Sequence, residues 1–315
     1  MNSSMAKSTR TQYQKAWQKC KEFITIHLKM QAKLPLSEQH LHLYIAHLHS
    51  FQYKHSTIAT HISAISHYHK IASLPDPTTT YATAKILTGV KNSQVQLPDA
   101  RRPVTRKILL GLVVALRSCT DNQYEYLLYK SLFTLMYYAC LRASEVIQTD
   151  TPQHIINVSQ IQLLADHRSY RLHLNSFKHS NPGGFTIYVT STTGQDCPVT
   201  SLTKYLKQRG SQPGPLYTII GSPLTRHQFT RKLNHCLTYL NLPHRVYNTH
   251  SFRIGRTTDM AASNVPHTTI QHIGRWKSNA YLRYVRPAII TTMPWLICSY
   301  YLIAFAKQQL PSWAT

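Results

Sequence analysis

Residues 250–286 read HSFRIGRTTDMAASNVPHTTIQHIGRWKSNAYLRYVR. His250 and Arg253 stand about one helical turn apart, Gly274-Arg275-Trp276 follows, and Tyr284 comes two residues before Arg286. Each type has a use at a phosphodiester. A phenol can attack phosphorus. A planar guanidinium can bridge two phosphoryl oxygens and stabilise the charge that builds as phosphorus becomes five-coordinate. Asn248 or Thr249 as a cap would start a helix with His250 and Arg253 on one face, near an N-terminus that favours anions. Residues 266–273 predict a second helix, with Ile270 and Ile273 inward, ended by Gly274 and followed by Trp276.

Upstream, residues 135–145 read LMYYACLRASE, a helix that turns sharply and presents Arg142, with Glu145 three residues on. Between the two runs, NSFKHSNPGG at 175–184 predicts a turn carrying Lys178. An ammonium there can give a proton to a leaving alkoxide without a metal. No carboxylate cluster is visible that could hold metal ions for the same work.

Composition supports a polyanionic partner. Lys and Arg number 35 against 11 Asp and Glu, so the formal charge is 35 − 11 = +24, with a pI near 9.9. Such a surface gains affinity for a phosphate backbone by releasing condensed counterions. Six scattered cysteines with no CxxC pair argue against a zinc site or disulfide framework and fit a reducing intracellular compartment, the nucleus if the host is eukaryotic and otherwise the cytoplasm. The nineteen histidines lack a ligand spacing and read as solvated or DNA-facing. The first ten residues are polar, so no signal peptide is expected. Residues 288–306 carry no charge, but Pro294 and several hydroxyl residues favour a buried or partner-docking helix over a membrane span.

The pattern along the chain predicts a mainly α protein with a small antiparallel β-sheet. Four helical stretches fill residues 1–91: one capped by Ser8 with Tyr13, Trp17, Cys20 and Ile24 on one face, one capped by Ser37 with Leu41, Tyr44, Ile45 and Leu48, one on Ile58, Ile62 and Ile65, and a shorter one on Ala84, Leu87 and Val90. Residues 92–104 read as a basic linker whose Arg101 and Arg102, with the neighbouring Arg106, are candidate DNA contacts. Residues 105–287 form a mixed α+β second domain, with strands at 155–164, 170–174 and 185–189, and 288–315 form a C-terminal tail.

The ordered set His-Ser-x-Arg, Asp-Met-Ala, Gly-Arg-Trp and Tyr-Val-Arg, with the Arg142 box upstream, resembles the tyrosine recombinases (phage-integrase family). It is most similar to Cre-like members and to recombinases of eukaryotic DIRS-type and Crypton mobile elements. The resemblance implies an all-α N-terminal domain and an α+β catalytic domain closing as a C-shaped clamp on double-stranded DNA. It implies Tyr284 as nucleophile through a 3′-phosphotyrosyl link, with Arg142, Arg253, His250 and Trp276 holding the phosphate. Lys178 would be the acid and Glu145 a supporting group. It implies no cofactor or metal, and a homo-tetramer on paired sites that exchanges a C-terminal helix. Two departures stand out: Cys140 replaces the usual Gly of the first box, and the Trp-to-Tyr interval is eight residues. Tyr281, a turn earlier, stays open as the nucleophile. A domesticated derivative that binds DNA without cutting it and a type IB topoisomerase are the alternative functions.

Overall fold

The computed structural model describes residues 5, 7–95, 99–149, 154–176 and 183–286. The chain divides between Pro98 and Asp99 into two compact units.

In the first unit, α1 (Lys7–His27), α2 (Glu38–Ser50), α3 (His55–Ile71) and α4 (Tyr81–Ser93) enclose one apolar cluster. Cys20, Ile24, Leu41, Tyr44, Ile45, Leu48, Ile58 and Ile65 recur at helical spacing and are all buried in it. Ser37 caps α2 by accepting from the His40 backbone N–H, as the sequence predicts. The predicted cap at Ser8 is not there, because α1 already begins at Lys7 and Ser8 lies in its first turn. Two histidines also depart from the solvated reading. His69 is fully buried, its Nε2 2.9 Å from the Leu36 N–H and its Nδ1 2.8 Å from the Ile65 carbonyl. A backbone donor on one nitrogen and a carbonyl on the other fix a single neutral tautomer, so this imidazole is a core connector. His61 is likewise buried against the Tyr44 hydroxyl.

The second unit is built round α6 (Gln123–Tyr138), which follows α5 (Arg106–Cys119). Residues Tyr126 to Tyr137 of α6 are buried on every face except at Lys130, as expected of a helix at the centre of a domain. A four-residue helix, α7 (Ala143–Val146), leads to a three-stranded antiparallel sheet of β1 (Ile161–Leu163), β2 (Ser169–Leu174) and β3 (Phe185–Thr190). Pairing of Tyr170 with Val189 and Leu172 with Ile187 puts these four on the buried face, the period-two signature of a half-covered sheet. The first strand is shorter than predicted: residues 158–160 form a 3-10 turn whose Gln160 side chain bonds back to the Asn157 N–H. Then come α8 (Pro198–Arg209), the small hairpin β4 (Thr218–Ile219) and β5 (Ser222–Pro223), α9 (Arg226–Tyr239), α10 (Ser251–Ala262) and α11 (His267–Gly274). A 3-10 helix, Asn279–Tyr284, ends the described chain near Arg286.

Residues 99–104 belong to this unit. The Arg102 N–H donates to the Val246 carbonyl, and the Val104 N–H donates to the Ser251 carbonyl at the start of α10. Met260, Ile270 and Tyr281 form a small core of their own, with Ile273, Trp276 and Val285 packed on it. That satellite cluster holds the C-terminal signature together as one block. No described helix is long and apolar enough to cross a membrane; residues 288–306 lie outside the described set.

Candidate active site

Four segments meet at one place, three of them from residues 250–286 and one from the end of α6 more than 100 positions upstream. The first is the end of α6. The chain reverses between Tyr138 and Ala143 through Cys140, which sits at φ 48°, a left-handed conformation that a non-glycine residue adopts at a cost. The turn expected of Gly is therefore made with Cys. Arg142 follows as the N-cap of α7, and its backbone N–H donates to Glu145 Oε2 at 2.8 Å. Glu145 is fully buried and also receives Arg142 Nη1 at 3.1 Å and Arg275 Nη2 at 2.7 Å.

The second segment is α10. His250 is its N-cap, already at helical dihedrals (φ −80°, ψ −19°), and the Asn248 side chain accepts the His250 N–H at 2.8 Å, as a helix-starting residue does. Arg253, one turn in, is fully buried. Its Nη1 donates to the Cys140 carbonyl at 2.5 Å and its Nη2 to the Gly274 carbonyl. Its Nε has no partner, and no described carboxylate pairs with it. The guanidinium lies 4.1 Å from the Trp276 ring centre and 5.7 Å from that of Tyr284, so two aromatic faces stand where a counter-ion would.

The third and fourth segments are the end of α11 and the last 3-10 helix. Arg275 caps α11 in a left-handed conformation (φ 56°, ψ 44°), and Trp276 folds back over Gly274. A Cβ on Gly274 would fall 1.6 Å from the Trp276 ring, so only glycine admits that packing. The Tyr284 hydroxyl stands 3.0 Å from His250 Nε2, and its ring packs on Trp276 at 4.9 Å. Thr258 of α10 ties this segment down, donating to the Tyr284 carbonyl and accepting the Arg286 N–H, both at 3.1 Å. Tyr281 goes elsewhere: its ring is buried and its hydroxyl bonds to His267. Of the two tyrosines left open by the sequence, only Tyr284 faces the arginines.

Electrostatics follow from this crowding. Burial, joined by Arg101, Arg253 and Arg142, holds His250 down at about 4, so its imidazole is neutral at pH 7. Burial also lowers Arg142, with Arg253 acting the same way and Glu145 opposing. Asp99 is held at about 2, first by hydrogen bonds from Arg101, and it also pairs with Arg286 at 2.7 Å.

The other sequence candidates divide. Arg101 sits by the site, bound to Asp99. Arg102 uses its backbone to dock residues 99–104 on the unit. Arg106 is tied to the buried Asp196 at 2.8 Å, while its N–H donates to Asp259. Lys178 lies outside the described residues. Thr258 and Asp99 are new participants, while Gly274 and Arg275, read in the sequence as part of the Gly-Arg-Trp run, take on contacts of their own. A groove of about 950 Å³ runs between β3 and the α10–α11 pair, but neither Tyr284 nor His250 lines it. The site itself is filled by its own side chains.

No family model matches this chain, and no curated protein matches it. Solved structures do. The Tn1549 transposon integrase in complex with transposon right end DNA superposes with a TM-score of 0.59 at 13% identity, covering 90% of each chain. The XerH site-specific recombinase bound to palindromic difH substrate, a post-cleavage complex, gives 0.60 at 13% identity over 81% of this chain and 70% of that one. Its pre-cleavage complex with difH gives 0.58 at 12% identity, over 88% and 76%. The chain thus has the tyrosine recombinase fold, mostly helical with a small antiparallel sheet.

Proposed function

We propose that this protein cleaves and rejoins DNA strands as a tyrosine recombinase or integrase of a mobile element. The observation that carries the reading is the convergence of Tyr284, His250 and Arg253 beside Arg142, with Arg253 buried and lacking a described carboxylate partner. The fold supports it, since the neighbours above are integrases and recombinases in complex with DNA.

In this mechanism His250, neutral and with its proton on Nδ1, accepts the Tyr284 proton at Nε2. The phenolate attacks the scissile phosphorus and the bond to the 5′ oxygen breaks. Lys178 supplies the proton that makes it a hydroxyl. The strand is left as a 3′-phosphotyrosyl ester, and a 5′ hydroxyl from a partner strand reverses the sequence. Arg142 and Arg253 together carry two positive charges against a five-coordinate phosphorus with two negative ones, so the chemistry runs without a metal or cofactor. Trp276 and Tyr284 cover Arg253 before DNA enters. Arg101 and Arg286 are the nearby cations for flanking phosphates. The active species is a homo-tetramer on paired sites.

Nicked duplexes of random sequence, resolved on denaturing gels after incubation, test this. A covalent adduct should form, vanish with Tyr284→Phe and survive Tyr281→Phe. Arg142→Ala and Arg253→Ala should slow adduct formation by about 10²–10³ while leaving DNA binding largely intact, the scale of losing one charge-stabilising donor. Tight binding with no adduct would favour a derivative that binds DNA without cutting it.

A further inference from the structure

Arg275 is an odd choice for its place. A left-handed cap at the end of a helix favours Gly or Asn, yet an arginine stands there at φ 56°. Its guanidinium turns inward and is about as buried as that of Arg253. Nη2 donates to Glu145 Oε2 at 2.7 Å and reaches the Cys140 carbonyl at 3.4 Å, while Nη1 reaches the Ala139 carbonyl at 3.4 Å. Glu145 thus lies between two arginines, and the Cys140 carbonyl is shared by Arg275 and Arg253.

Charge balance gives this a meaning. Were Arg142 the sole partner of Glu145, the carboxylate would cancel one of the two charges required at phosphorus. A buried carboxylate with one cation also holds it tightly, since neither is compensated by water. With Arg275 occupying Oε2, Glu145 is already neutralised, and Arg142 can turn from Oε1 to a phosphoryl oxygen.

We propose that Arg275 is a positioning residue: it engages Glu145 so that Arg142 is released to the phosphate. This rests on the reading of Arg142 and Arg253 as the pair that grips the phosphoryl group.

Binding of orthovanadate to the full chain, measured by isothermal titration, tests it without requiring DNA cleavage. Vanadate carries the charge of a phosphodiester and becomes five-coordinate when a hydroxyl ligates it. Arg275→Met should weaken vanadate binding by about 10-fold or more, because Glu145 then holds Arg142. Glu145→Gln should bind at least as tightly as the unaltered protein. The double variant Arg275→Met/Glu145→Gln should fall within about threefold of Glu145→Gln alone, since Arg275 has no task once Glu145 is neutral. That recovery is what a packing role cannot produce, for there the two losses would add. The last comparison also stands if Arg275→Met alone does not fold. A double variant at least about 10-fold weaker than Glu145→Gln overturns the proposal. So does Arg275→Met binding as well as the unaltered protein, or an unaltered protein that does not bind vanadate. A chain showing the expected vanadate pattern but no Tyr284 adduct would keep this inference and lose the recombinase reading.

Discussion

A guanidinium removed from water without a counter-ion costs several kcal/mol, even when carbonyls and aromatic faces replace part of its hydration. Arg253 is in that state, so a bound anion would offset part of this cost. Burial first, and the neighbouring guanidiniums second, act on His250 as well. Its folded value of about 4 lies below the ordinary 6.5, so between those values the unfolded chain binds a proton that the folded chain refuses. Its effect on stability is therefore nil above about pH 6.5 and grows unfavourable as the pH falls towards 4. Urea unfolding of the unaltered protein and of His250→Asn from pH 7.5 to 4 should show this difference. The unaltered protein should lose stability relative to the variant across that window, and a gap independent of pH would refute the assignment. Bound phosphate should raise the His250 value and shrink the effect.

At the scale of elements, two glycines predict opposite outcomes. A Cβ at Gly255 would lie 1.7 Å from the Val104 carbonyl oxygen, where the segment after the unit boundary docks on α10. That obstacle is backbone. Gly255→Ala should cost about 1–3 kcal/mol or more in urea unfolding, whatever it does to chemistry. At Gly274 the obstacle is the Trp276 ring, which can swing away. Gly274→Ala should cost less stability but displace Trp276 from Arg253, slowing adduct formation about 10-fold or more with DNA binding little changed. Equal stability losses with no change in adduct rate would contradict this contrast. These cases also show what the sequence could reveal. Helical and strand periods are local, so the Ile58, Ile62, Ile65 face and the Tyr170–Leu174 alternation were readable from residue types. The Arg142 box and the Tyr284 signature were readable as motifs. The pairing of Arg275 with Glu145 was not, because Glu145 lies 130 positions away and only the fold brings them together. Thr258 was hidden for the same reason, and buried His69 because an imidazole satisfied by backbone looks in sequence like any surface histidine.

For the whole molecule the dominant quantity is its formal charge of +24. If DNA is the partner, affinity and chemistry should separate cleanly, because they rest on different residues. Binding to duplexes of unrelated sequence would come from many lysines and arginines replacing condensed counterions. Neutralising about 6–10 phosphates predicts a slope of log K against log salt of about −5 to −9, and a loss of about 10³–10⁵ in affinity between 50 and 200 mM salt. Arg253, covered by Trp276 and Tyr284, should contribute almost nothing to that slope. Arg253→Ala should therefore leave the salt slope within about one unit of the original while slowing adduct formation by about 10²–10³. Fluorescence anisotropy on a labelled random duplex across a salt series, run in parallel with trapping, reads both. A slope near −2 would mean that the charge is not gathered along a DNA path. A slope that collapsed with Arg253→Ala would make that residue part of the general DNA-binding surface and remove its special place at the scissile phosphate.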